Sequence, residues 1–512
     1  MNGAEALLEA SRVRGVELCF ANPGTTEMPL VAALDRVRIR AVLALFEGVC
    51  TGAADGYGRM AERPAATLLH LGPGLANGLA NLHNARRAGS PVVNWVGDQA
   101  SWHLAADAPL TSDIAALAAS VGWVRTVASA ATIAQDGADA LAAAAGPPPG
   151  VATLIVPVDA QWSDAAPAEA PRARLGSTPP DAAAVARAAT LLRGDQAGLL
   201  LGGRALRAGA LRAAARIHQH SGGPVWTETF AARQERGLGI PEFPRLPYFP
   251  EPARETLRSV GGLVLAGARN PVAFFGYPGQ PSRLEPEGAE LTTLCSAHDD
   301  AEAALEALAD ALGAKPLAAL RERPRPEPAG GALDVATLGL TLAALQPEGA
   351  IVVDEAATSG LPWSAAAAGA PPHTVLGLTG GAIGQGLPCA AGAALACPGR
   401  RVIAFQADGS GLYTLQALWT MARESLDVTV VVCANRAYRI LQVELARAGV
   451  AEPGPAARSL VQLGPPVVDW VAAARAFGVP GSRVTTADGL ADALRASLGE
   501  PGPSLIEAVL AP

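Results

Sequence analysis

The sequence predicts an α/β protein made of three doubly wound, parallel-sheet domains. Three observations predict it. Short apolar runs alternate with helix-compatible stretches along all 512 residues, the pattern of repeated βαβ units. Two stretches rich in Pro, Ala and Gly, Ala165 to Pro180 and Arg321 to Gly331, interrupt that alternation and read as linkers. Finally, Asp408 and Asn435 each sit just past a buried apolar run, one crossover apart, at the edge where open α/β sheets bind ligands. The domains implied are 1–162, 181–320 and 333–512.

In the first domain, residues 3 to 14 read as an amphipathic helix. Val16 to Ala21 is a strand, and Asn22-Pro-Gly-Thr-Thr-Glu27 is the loop that leaves it. Strands follow at Ala41 to Phe46, Ala65 to His70, Pro91 to Val96 and Ala152 to Pro157. Glu47 opens a helix of small residues that runs to Arg59. The second domain repeats the alternation at Gly198 to Gly202, Pro224 to Thr227, Gly262 to Ala266 and Leu291 to Leu294. In the third, Arg401 to Gln406 and Asp427 to Cys433 are buried strands, Gly409 lets the backbone turn, and Leu412 to Arg423 is compatible with helix.

Composition narrows the class. Half the residues are hydrophobic and 17% are charged, so large cores can be buried. A net charge of −8 without a basic stripe argues against nucleic acid. The single lysine, Lys315, stands beside the second linker, which argues against Schiff-base chemistry. Six cysteines without a C-x-x-C pair read as buried thiols of a reducing compartment. Neither a signal sequence nor a membrane-spanning run is evident, so the reading is cytoplasmic, with no membrane partner. His218 and His220 read as surface residues, and His83, His103, His298 and His373 carry no assigned role.

The motifs carry the chemistry. A carboxylate (Asp408), an amide oxygen (Asn435) and a nearby backbone carbonyl suit hard Mg²⁺. The run Ala407-Asp-Gly-Ser410 to Asn435 resembles the thiamine diphosphate (ThDP) motif. It departs at Ala407, usually glycine there, a change that a negative φ would tolerate. Glu47 to Arg59 resembles the catalytic-glutamate helix of that family. Gly72-Pro-Gly74 with Asn77, and Gly380 to Pro388, match it further. Together these motifs span the chain and resemble ThDP-dependent enzymes, nearest to the benzoylformate decarboxylase-like and acetolactate synthase large-subunit-like groups. Asn22 to Glu27, His70 and Gln416 to Thr420 match the former. The second active-site histidine of that group is expected near Ala273 to Phe275, and none occurs there.

The resemblance implies a pyrimidine-binding, a central and a diphosphate-binding domain, with ThDP and Mg²⁺ as cofactors and FAD not favoured. It implies that Glu47 activates the cofactor through a pyrimidine nitrogen, that the Gly381 carbonyl accepts from its amino group, and that Ile383 bends it. Gly72, Asn77, Thr358, Gly409, Ser410 and Tyr438 complete the cofactor contacts. Asp408, Asn435 and Ala437 hold the metal. His70 is the acid/base, Thr25 meets the substrate carboxylate, and Ile440 and Leu441 line the pocket. In the family Glu47 and the Asp408–Asn435 pair come from different subunits, which implies a homodimer at minimum and a homotetramer by expectation. The activity implied is non-oxidative decarboxylation or carboligation of a small 2-oxo acid. One rival is an acetolactate synthase-type pyruvate carboligase. Another is a non-catalytic paralogue acting as an assembly subunit, which intact Glu47, Asp408 and Asn435 oppose.

Overall fold

A computed structural model describes residues 1–166, 179–320 and 323–510. The first linker, Ala165 to Pro180, lies almost wholly outside the described residues, as do Arg321 and Glu322 of the second. The chain forms two compact units. One holds the N- and C-terminal regions; the other holds the central region together with residues 368–377.

Helix α1 (Gly3–Arg12) is opened by Asn2, whose side chain accepts from the Glu5 N–H at 2.9 Å while Glu5 reaches back. This reciprocal box satisfies donors that a helix start leaves orphaned. Strands β1 (Leu18–Asn22), β2 (Arg40–Leu43), β3 (Ala65–Leu69), β4 (Val92–Asp98), β5 (Trp123–Thr126) and β6 (Val151–Pro157) then form a parallel sheet. Their order is β2-β1-β3-β4-β6-β5. Every residue of β4 and β6 is buried, as strands covered on both faces must be. β5 escapes the sequence reading because Trp-Val-Arg-Thr is short, half polar and only partly buried. Helices α2 (Met28–Val37), α3 (Glu47–Ala61) and α4 (Leu71–Ala88) complete the part that matters for the site.

In the central unit β7 (Ala197–Leu201), β8 (Val225–Thr227), β10 (Gly262–Ala266) and β11 (Glu290–Cys295) form a parallel sheet ordered β11-β10-β7-β8. All four runs read from the sequence are strands. A short β9 (Gln234–Arg236) pairs antiparallel with β13 (His373–Gly377), an exception to the all-parallel expectation. The C-terminal region supplies β12 (Ile351–Glu355), β14 (Val402–Ala407), β15 (Val428–Ala434), β16 (Gly481–Val484) and β17 (Ser504–Val509), parallel in the order β16-β17-β15-β14-β12.

Two further details differ from the sequence reading. The stretch Leu412 to Arg423 is helical only over Ala417–Arg423. All six cysteines are free, but Cys397 is half-buried where full burial is expected.

The N- and C-terminal regions meet through α3 and the helix Gly386–Ala396. Their backbones approach closely because glycines face each other's chain. A Cβ on Gly56 would collide with the Cys389 carbonyl, and one on Gly392 with that of Ala53. Beside this crossing the fully buried Asp55 takes a bidentate pair from Arg59, at 2.8 and 2.5 Å, and hydrogen bonds from Ser90 and Gln385. A buried charge with several partners in good geometry avoids the penalty of an unpaired one.

Candidate active site

In the N-terminal sheet the chain steps from β1 out to β2, then back past β1 to β3. The topological switch point therefore lies between β1 and β3, where a doubly wound sheet opens a crevice. The loop Asn22 to Glu27 leaves β1 there and His70 leaves β3. His70 Nδ1 lies 2.8 Å from Glu27 Oε2. Glu27 is fully buried and also accepts from the Gly24 N–H and the Thr26 hydroxyl, each at 2.8 Å. A carboxylate anchored by such donors has a lone pair to offer His70. This fixes the Nδ1–H tautomer and leaves Nε2 as the basic nitrogen. The backbone is shaped around the pair: a Cβ on Gly24 would overlap the His70 ring, and one on Gly97 would overlap the Glu27 carboxylate. The next residue, buried Leu71, has φ 45°, a left-handed conformation that a branched side chain adopts only under constraint. Thr25 is exposed at the start of the turn, and Thr26 is the threonine that bonds Glu27.

Glu47 is the first residue of α3, 8% exposed, and its Oε2 accepts from Asn77 Nδ2 at 3.0 Å. Asn77 lies on α4, with buried Gly72 in its first turn. α3 and α4 are tied by Thr51 donating to the Gly78 carbonyl at 3.0 Å and Asn81 to that of Gly48 at 2.8 Å. α4 also clamps the loop carrying Gly381 and Ile383. His83 Nε2 meets the Gly380 carbonyl at 3.1 Å, and Asn84 donates to that of Ala382 at 2.7 Å. From below, buried Glu355 accepts the N–H groups of Gly384, Gln385 and Gly386 at 2.8, 3.2 and 2.7 Å, and Gln406 Nε2 at 2.8 Å. Burial pushes the Glu355 carboxyl above its ordinary range despite these donors. Gly381 is exposed and Ile383 half-buried.

The second half of the site lies at the ends of β14 and β15. These strands pair in register up to Ala407 opposite Cys433, so Asp408 and Asn435 leave adjacent strand ends, Asn435 one residue further out than Asp408. Ala407 has φ −79°, the negative value its tolerance requires. Asp408 Oδ1 accepts from the Gly409 N–H at 2.8 Å and Oδ2 from the Arg436 N–H at 2.6 Å. Asn435 Oδ1 accepts from the Ala437 N–H at 3.1 Å. Burial raises the Asp408 carboxyl above its usual range, against the pull of those N–H groups. Gly409 is not in the left-handed region; it is needed because a Cβ there would strike the Tyr438 ring. Ser410 is buried in the same short turn, and Thr358 lies half-buried just past β12. Ile440 and Leu441 are on the helix Arg439–Arg447, none of whose residues is buried, so they are not core residues of this chain.

Residues 1–117 match the thiamine pyrophosphate enzyme N-terminal TPP binding domain, and residues 361–508 the corresponding C-terminal TPP binding domain. The chain is 52% identical over 516 residues to the Mycobacterium tuberculosis protein named "Putative acetolactate synthase large subunit IlvX", covering 100% of this chain and 99% of that one. The chain belongs to the thiamine pyrophosphate enzyme family. A second relative, benzoylformate decarboxylase of Pseudomonas aeruginosa, is 31% identical, with 98% and 97% covered. Among solved structures, a thiamine diphosphate-dependent 4-hydroxybenzoylformate decarboxylase from Rhodococcus jostii RHA1 superposes with a TM-score of 0.86 at 25% identity, covering 100% and 99%.

As a ThDP-dependent enzyme, this chain has a donor set that can be tested against the family's metal. Among the described residues no group of three or more His, Cys, Asp and Glu side chains gathers to hold an ion. A metal held by this chain would therefore draw on fewer than three such side chains, with amide or backbone oxygens beside them. Asp408, Asn435 and Ala437 offer that hard, oxygen-only set, which fits Mg²⁺. No hydrogen bond or ion pair joins Glu47 or His70 to Asp408 or Asn435 among the described residues. Sequence reasoning missed Glu27 and Glu355, the two buried carboxylates that hold these loops. The signal for each was an acidic residue at or just beyond the end of a buried strand.

Proposed function

We propose that this ThDP-dependent enzyme catalyses Mg²⁺-assisted, non-oxidative decarboxylation of a 2-oxo acid, with or without ligation to an aldehyde. The observation that carries the reading is the Glu27–His70 pair at the switch point of the N-terminal sheet. When bound, ThDP supplies the electron sink that such a decarboxylation needs. Glu47, braced by Asn77, would hold and move a proton at the pyrimidine ring. Asp408, Asn435 and the Ala437 carbonyl would hold Mg²⁺ against the diphosphate, with Gly409, Ser410, Tyr438 and Thr358 around it. Gly381 and Ile383 would position the rings. His70, oriented by Glu27, would present Nε2 to the substrate and transfer a proton there. Thr25, the half-buried Ile440 and the exposed Leu441 would close the pocket in an assembly of at least two copies, with a homotetramer as the fuller proposal and the cytoplasm as its setting.

The 52% identical relative favours a second reading, an acetolactate synthase-type carboligase. One feature of the central unit weighs against a flavin dinucleotide there. Its switch point lies between β7 and β10, and the Gly203 N–H just past β7 already donates to Glu228 Oε1 at 2.9 Å. A carboxylate in that place competes with a diphosphate for the same donor. The test is a screen of 2-oxo acids for CO₂ release, with and without an aldehyde acceptor, together with a flavin absorbance spectrum. Release from aryl or alkyl 2-oxo acids without flavin supports the first reading. Acetolactate formed from pyruvate as the main product overturns it. Among the described residues no helix is long and apolar enough to cross a membrane.

A further inference from the structure

The N-terminal sheet carries a second concavity at its opposite, amino-terminal edge. This cleft of about 920 Å³ is walled by five arginines, Arg12, Arg14, Arg36, Arg38 and Arg63, against three glutamates, Glu9, Glu17 and Glu62. The arginines come from the end of α1, the turn into β1, the end of α2 and the turn into β3. We propose that this cleft binds a small phosphate-bearing anion of nucleotide size.

Charge and hydrogen bonding both point that way. Arg12 is paired with Glu9 at 2.6 Å, Arg63 with Glu17 at 2.5 Å, and Arg36 with Glu5. Arg14 and Arg38 have no ion pair among the described residues. Arg14 is 5% exposed; its Nη1 caps α1 by donating to the Ala10 carbonyl at 2.6 Å, and its Nη2 has no partner. A buried guanidinium nitrogen left unsatisfied is costly unless something accepts from it. Helix dipoles account for cations at helix C-termini, but not for a buried donor with nothing to donate to. Arg38 faces solvent at φ 62°, a conformation that arginine rarely holds. The guanidinium fork matches phosphate oxygens, and the volume lies within the range of small-molecule sites.

The test uses enzyme saturated with ThDP and Mg²⁺, so that the cofactor site is filled. ADP, inorganic phosphate and malonate are titrated calorimetrically into wild type, Arg14→Met and Arg38→Gly. Glycine suits the backbone at residue 38, so Arg38→Gly remains a folded test even if Arg14→Met does not fold. The expected result is ADP binding tighter than about 1 mM, weakened about tenfold in each folded variant, with phosphate weaker but equally sensitive. No ADP binding tighter than about 1 mM would overturn the proposal. So would binding that Arg38→Gly leaves unchanged, or malonate binding as tightly as ADP.

Discussion

His70 owes its orientation to Glu27, and that dependence separates two roles. Removing the imidazole by His70→Ala should lower turnover on the best 2-oxo acid by about 10²–10⁴-fold and leave ThDP affinity within about twofold. Retention of more than about half of wild-type turnover would make His70 a packing residue. Glu27→Gln keeps the volume but offers His70 either an amide oxygen or an NH₂ group. Its expected cost, about 10–100-fold in kcat with an altered pH profile, is that of a positioning residue. Glu47→Gln should keep the Asn77 contact and the fold while slowing exchange of the bound cofactor's C2 proton. Exchange at the wild-type rate would remove Glu47 from the chemistry. At this scale the sequence pointed to the residues proposed for the chemistry, because Glu47, His70, Asp408 and Asn435 sit in local motifs at strand or helix ends. It did not show what holds them. The partners of Glu27 and Glu355 come from residues up to 51 positions away, and no local spacing encodes such pairings.

Strand ends decide the half of the site proposed to hold the metal. The register of β14 against β15 brings Asp408 and Asn435 out at neighbouring strand ends, one residue out of step, so Asp408→Ala should leave the sheet intact and abolish Mg²⁺-dependent ThDP binding. Tryptophan quenching during a ThDP titration reads this, and unchanged affinity would place the anchor elsewhere. The crossing of α3 with the helix Gly386–Ala396 depends on missing side chains rather than present ones. Gly392→Ala drives a methyl group at the Ala53 carbonyl. It should cost about 1–3 kcal/mol, seen as a lower urea midpoint; an unmoved midpoint would mean that the helices part without cost. Element type was read correctly in β4, β6, β14 and β15, where an apolar run is long and buried, but β12, β16 and β17 went unread although β12 and β17 are largely buried. It was not legible for β5, whose short run is half polar, or for β9 and β13, whose pairing joins residues far apart in sequence. The residues from Leu412 onward looked helical, yet a turn through Thr414 carries the chain from the Asp408 loop before the helix starts at Ala417.

At the scale of the whole molecule, three sheets place most carboxylates on the surface, and the exceptions set the pH dependence of stability. Glu228, just past β8, is half-buried. Burial pushes its carboxyl from 4.5 to about 7, against the Gly203 N–H and the field of Arg269. Between those two values the folded chain holds a proton that the unfolded chain has released. Stability from this group is therefore fully present below pH 4.5 and is lost as pH rises through about 7. The span limits the effect to about 3 kcal/mol. Glu228→Gln keeps an oxygen for the Gly203 N–H but cannot ionise, so it should remove that slope. The wild type is expected to lose a few degrees of thermal midpoint relative to Glu228→Gln between about pH 5 and pH 8, the two converging at the acidic end. Parallel curves would show that Glu228 titrates as an ordinary surface carboxylate. The ionised form would then hold the Gly203 N–H throughout the working range. The same variant bears on the flavin question, because neutralising residue 228 removes the charge that competes with a diphosphate at that edge. If Glu228→Gln purifies with flavin absorbance and wild type does not, the carboxylate is what keeps the dinucleotide out.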